Sequence, residues 1–257
     1  MEKETRQEDD ITEGLFDLPP EKRDYSLNWW KMILFFATYY AITFLIGLIT
    51  GVGIGVWAEI TNQNIDRLIT EMMNHPLITY LDYIGFIAVM LIFKSVRLFI
   101  KDILTWKPFT DYRTYLYIIG GFIVIYFSQE LFIDILQWEL ISQQLDVEPF
   151  YYDSVMSYVL VFISLAIITP IQEEVMFRGV LQKFLSEKWR IWLGLLLSAT
   201  IFGVLHPEYI FSGITMGLVF GIVYYRTRSL WPAIILHALW NGYIVAGDFL
   251  MWNSLFN

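Results

Sequence analysis

Apolar residues in this chain come in long unbroken blocks separated by short polar stretches, not in the alternating pattern of a half-buried strand. From Trp29 onward the blocks run roughly 32–58, 76–93, 114–135, 155–187, 191–206, 209–225 and 230–252. A hydrocarbon core about 30 Å thick is crossed by about 20 helical residues. The pattern therefore predicts an all-α, polytopic integral membrane bundle of about seven transmembrane helices. The first block, MILFFATYYAITFLIGLITGVGIGVWA, holds no charged residue, and the fifth and sixth are the shortest.

The polar stretches add orientation. Residues 1–28 carry nine acids and four bases and lack the apolar core of a signal peptide. They read as an acidic, mobile cytoplasmic tail. Residues 29–257 read as a single transmembrane domain. With the N-terminus inside, 16 of the 17 Lys and Arg residues fall on inner segments, Arg67 being the exception. Such a bias predicts a multi-pass protein of the cell membrane with a cytoplasmic N-terminus and an external C-terminus. The outer connections collect acids instead, among them Glu59, Glu71, Glu139, Asp146, Glu148 and Asp153. Gly47, Gly51 and Gly55 in the first block, and Gly213, Gly217 and Gly221 in the sixth, recur four apart, which favours close helix packing. Trp29, Trp30, Trp189, Trp231 and Trp252 lie near block ends, as interfacial anchors do.

Composition narrows the functional classes. At 56% hydrophobic, 18% aromatic and 17% charged, the chain has too little polar surface for a soluble domain of its length. The absence of cysteine excludes disulfide scaffolds, thiolate nucleophiles and Cys-ligated metals. The net charge of -9 reflects the tail and outer loops, and no basic nucleic-acid face is visible. The expected partners are the lipid bilayer and a membrane-anchored or hydrophobic peptide or protein substrate.

One charged stretch stands at an apolar edge: TPIQEEVMFRGVLQKFLSEKWR, Thr169 to Arg190. Glu174 and Arg178 are four apart with the acid first, the favourable order for a helical pair. Glu173 points about 100° away and needs a different partner. Pro170 cannot donate to the Ala166 carbonyl, so a kink or local opening is expected. Folding the chain back near Trp189–Arg190 places Glu173 and His206 at equal distance from the turn, about 25 Å along their helices. A second hairpin near Thr227 brings His237 in, with Asn241 one turn further on the same face. Ionisable groups meeting inside a membrane mark a functional site by default. The third histidine, His75, precedes Pro76 in an outer loop and is given no role.

These residues also form a pattern. EEVMFR (Glu173 to Arg178), FGVLH (Phe202 to His206) and HALWN (His237 to Asn241) match E-E-x-x-x-R, F-x-x-x-H and H-x-x-x-N in that order. On successive apolar helices they resemble the CAAX prenyl protease and bacteriocin-processing family, the type II, Ras-converting-enzyme-like intramembrane endopeptidases. The resemblance covers about 155–245 and four motif-bearing helices, and it implies a cavity facing the cytoplasm. It implies Glu173, His206, His237 and Asn241 as catalytic, with Glu174, Arg178 and Phe202 in support. Chemistry read from the residues agrees. With no cysteine and no G-x-S-x-G, a carboxylate and a histidine can activate water, and His237 and the Asn241 amide can donate to an oxyanion. Zinc on Glu173, His206 and His237 is the alternative. Without H-E-x-x-H the cofactor-free site is favoured. A non-catalytic immunity or regulatory scaffold on the same fold is a further alternative. A transporter is disfavoured by the lack of an inverted repeat. The CAAX link implies prenylated substrates. A peptide pheromone, a bacteriocin leader or a membrane-protein segment would suit the same chemistry.

Overall fold

Every apolar block folds as helix, because in lipid each backbone N–H and C=O must find its partner within the protein. The computed structural model describes residues 27–73, 76–139 and 154–256, apart from the side chains of 70–79 and 251–256. The tail up to residue 26, His75, Asp146, Glu148, Asp153 and the side chains of Glu71 and Trp252 lie outside what is described. No strand occurs among the described residues.

Helix α1 (Trp29–Thr61) begins where the Asn28 side chain accepts from the Lys31 N–H at 2.8 Å, and it ends at Asn62 in the left-handed conformation. Helix α2 spans Ile65–Met73 and α3 spans Pro76–Ile92, with proline at its first position. The chain then turns by 90° into the segment Lys94–Thr110, made of α4 (Lys94–Ile100) and two 3-10 turns. The Arg97 guanidinium donates to the Met90 and Leu91 carbonyls, closing the exposed end of α3. Helix α5 (Tyr112–Gln129) is capped by Asp111 and continues as π-helix through Ile135.

Helix α6, the 34-residue run Val155–Lys188, opens with a Ser154–Ser157 capping box. Two stretches of it, Ile163–Ile168 and Val175–Gln182, wind as π-helix. Helix α7 is Ile191–Val204, a 3-10 turn covers Pro207–Tyr209, and α8 (Ile210–Thr227) and α9 (Leu230–Phe256) follow. Among the described residues five helices are long and apolar enough to cross a membrane, or six with the bent pair at Phe93 counted as one span. Helix α7, with 14 residues, reaches only about 21 Å. The seven predicted blocks are thus all helical, but not all of them are of membrane length.

The second half of α6 is the centre of the molecule: from Glu174 to Ser186 every residue is buried. Helix α8 lies across α7 at backbone contact. A Cβ on Gly217 would stand 2.8 Å from the Ala199 Cα, and one on Gly203 would stand 2.5 Å from the Ile214 nitrogen. The second glycine ladder therefore packs as its spacing predicted. The first does not: nothing lies within 4 Å of a Cβ on Gly47 or Gly51, and Gly55 meets only the tip of Ile65. The basic segments converge. Trp29 packs edge-on against Phe184 at 4.8 Å and against Trp189 at 5.3 Å, Trp106 stacks on Trp231 at 4.3 Å, and Lys183 lies over the Phe99 ring at 3.5 Å.

Candidate active site

The loosened winding of α6 sets up the site. Thr169 donates its N–H to the Ser164 carbonyl, five residues back rather than four. The opening expected at Pro170 is therefore a π-helical stretch just before it, whose carbonyls draw donors from outside the helix. Side chains from other helices serve these carbonyls. Tyr80 donates to Leu160 at 2.8 Å, Tyr83 to Ser164 at 2.9 Å, and the Asn241 amide nitrogen to Leu165 at 2.9 Å. The Thr169 hydroxyl, 2.8 Å from the Tyr83 oxygen, completes the network. Below it the Gln172 amide donates to the Tyr39 hydroxyl at 2.6 Å, tying α6 to α1.

Glu174 and Arg178 pair at 2.9 Å with both side chains at 0% exposure. The Arg178 guanidinium also donates to the Gly217 carbonyl at 3.1 Å and lies 4.6 Å from the centre of the Phe202 ring. The same Glu174 oxygen holds His237 Nδ1 at 2.9 Å. Guanidinium and imidazole thus share one oxygen of this buried carboxylate, Oε1, while Oε2 makes no hydrogen bond among the described residues. His237 is fixed further by stacking on Phe220 at 4.4 Å. Its Nε2 then faces Glu173 Oε2 at 3.7 Å.

His206 sits just beyond the end of α7, where Pro207 takes the preceding residue out of helical geometry. The Glu139 carboxylate accepts from the Ser212 N–H at 2.7 Å and from the Ser212 hydroxyl, bracing the start of α8. His206 Nδ1 bonds the Phe202 carbonyl at 2.7 Å, and its Nε2 faces Glu173 Oε1 at 3.9 Å. The Glu173 and His206 side chains are each 20% exposed, so the cluster is open on one side.

Six of the seven predicted residues thus meet: Glu173, Glu174, Arg178, Phe202, His206 and His237. Asn241 turns its amide nitrogen toward α6. Both imidazoles spend Nδ1 on a fixed acceptor and present Nε2 to the two oxygens of one carboxylate. At 3.7–3.9 Å these contacts are too long for direct hydrogen bonds. A water off the line, about 2.8 Å from each, fits such a gap. Among the described residues no group of three or more His, Cys, Asp or Glu side chains is placed closely enough to hold an ion.

Sequence reasoning missed Tyr80, Tyr83 and Thr169, as well as Glu139 and Gln172. Two hydroxyls three apart in the apolar stretch TYLDYIG were the available signal for the first pair. Nothing local marked Glu139. A cavity of about 500 Å³ lies between α5, α6 and α9, lined by residues such as Ile119, Phe122, Phe162, Leu239 and Tyr243. It is apolar, and none of the seven predicted residues lines it.

A family model falls on the same part of the chain. Residues 155–243 match the family model described as type II CAAX prenyl endopeptidase Rce1-like. The chain is 29% identical over 133 residues to the Bacillus subtilis (strain 168) protein named "Putative membrane peptidase YdiL", covering 51% of this chain and 54% of that protein. It is 30% identical over 92 residues to the "UPF0177 protein YbdI" of Lactococcus lactis subsp. lactis (strain IL1403), covering 35% of this chain and 49% of that protein. The chain spans about half the length of the curated relatives it matches. No solved structure matches it.

Proposed function

We propose, from the match of residues 155–243 to the family model of type II CAAX prenyl endopeptidases, Rce1-like, that this multi-pass membrane protein hydrolyses peptide bonds of membrane-associated proteins or peptides. The observation that carries the reading is the convergence of two Nε2 atoms on the two oxygens of Glu173. Glu173 and His206 hold a water between them and take its proton as it attacks the carbonyl carbon. The oxyanion that forms is met by His237 in its imidazolium form, which gives Nδ1–H to Glu174 and has Nε2–H left to donate, and by the second N–H of the Asn241 amide, both donors carried over from the resemblance. The proton on the Glu173–His206 pair then passes to the leaving amine. Helix α6 with Arg178 anchors the whole arrangement. The bilayer supplies substrates anchored by an apolar segment or a lipid, and the basic end of the bundle faces the cytoplasm of the cell.

The test is comparative proteomics of membranes from cells expressing the wild-type protein and the Glu173→Ala variant at equal levels. Uncut precursors that accumulate only with the variant support the reading and identify the substrate. Identical peptide termini in both, together with a cell phenotype the variant retains in full, would favour the scaffold reading instead.

A further inference from the structure

We infer that Asn241 is a positioning residue, acting on Glu173 through the backbone of α6 by supplying the hydrogen bond that Pro170 cannot make. The inference rests on the proposed peptidase reading only for its consequence in rate. Its structural content stands alone.

The argument is an accounting of donors. Thr169 gives its N–H to Ser164, so it is not on Leu165. In the same i to i−5 register the next donor would be residue 170, and proline has none. The Leu165 carbonyl lies inside a membrane helix, where an unmet acceptor is costly. The Asn241 amide nitrogen meets it at 2.9 Å from α9, 76 residues along the chain. Only an N–H can bond a carbonyl, so the amide orientation is fixed by its partner.

The π turn matters because it sets rotation. An extra residue in one turn rotates everything downstream by about 100° relative to a continuous α-helix. Glu173 lies three residues beyond Pro170 and Glu174 four. Were the turn to anneal to α-helix, Glu173 would leave the two imidazoles and Glu174 would leave His237. Asn241, with Tyr83 and Thr169 on the neighbouring Ser164 carbonyl, holds the turn open. One N–H of the Asn241 amide is thus committed to the helix that carries the base, which leaves only the second for an oxyanion.

Restoring the missing N–H tests this directly. The four proteins are wild type, Asn241→Ala, Pro170→Ala and the double variant, each full length and in phosphatidylethanolamine–phosphatidylglycerol vesicles. The chain has no cysteine, so Glu173→Cys with His206→Cys can be added to each, and their cross-linking by a short thiol-reactive bifunctional reagent reports where residue 173 points. Asn241→Ala is expected to lower the cross-linking yield at least fivefold, and Pro170→Ala in the same chain to restore most of it. In the uncrosslinked set, cleavage of a quenched fluorescent peptide carrying a prenylated cysteine followed by three C-terminal residues should lose at least tenfold more kcat on Asn241→Ala when Pro170 is present than in the Pro170→Ala background, with KM little changed. Equal cross-linking in all four proteins overturns the inference, as does an equal loss of kcat in both backgrounds, which marks Asn241 as an oxyanion donor alone. Should Asn241→Ala fail to assemble, Asn241→Gln against Pro170→Ala reads the same coupling. A wild type that cuts nothing refutes the peptidase reading and leaves the cross-linking result standing.

Discussion

Glu173 faces two imidazoles whose Nδ1 atoms are already engaged, so its chemistry depends on charge more than on shape. Glu173→Gln keeps the shape and removes the base. It should abolish cleavage while the protein still assembles, measured by turnover beside size-exclusion profiles. Glu174→Gln should leave some activity, because its carboxylate aims His237 and pairs Arg178 without facing the water. Equal, complete loss in both would move Glu174 into the reacting set. Chelation probes the other chemistry. Purified active protein should hold well under one zinc per chain by mass spectrometry and keep its rate after chelation. Stoichiometric metal that leaves and returns with activity would make Glu173, His206 and His237 ligands. Much of this set was legible in the sequence, because hairpin counting depends only on the 1.5 Å rise and the turn positions. The link from Glu174 to His237 was not, since nothing in a helical period connects residues 63 apart.

Helix α6 shows why the elements could be named from sequence but their winding could not. Apolar length marks a helix, and Pro170 marks a weak point. Whether the chain answers by kinking or by widening depends on donors from α3 and α9, which local pattern does not contain. The two glycine ladders make the same point, because identical spacing gave one packed face and one open one. Their contrast is measurable. Gly217→Ala forces a Cβ to 2.8 Å from the Ala199 Cα and should destabilise by about 1–3 kcal/mol, the usual cost of overpacking. Gly51→Ala meets nothing and should be neutral or stabilising by up to about 1 kcal/mol from helix propensity. Thermal unfolding of both variants in one detergent checks the pair, and equal shifts would refute the packing difference.

At the scale of the whole molecule, the basic segments gather at one end, through Trp29 on Trp189, Trp106 on Trp231 and Lys183 on Phe99. Reporters fused after Arg113 and Arg228 should therefore read cytoplasmic, and one after Asn257 external. A cytoplasmic Asn257 would mean an even number of crossings, with one of the seven blocks leaving the bilayer on the side it entered, and the bent pair at Phe93 and the 14-residue α7 are the places to look. The bond between Leu165 and Asn241 has a consequence in time as well. Its acceptor is synthesised 76 residues before its donor, and at about 5–20 residues per second the ribosome needs roughly 4–15 s to cover that gap. During that interval α6 would lack the donor that the proposed positioning role assigns to Asn241. On the proposed peptidase reading, the nascent bundle would then carry Glu173 without aiming it, sparing the growing chain and the translocation machinery around it until α9 docks.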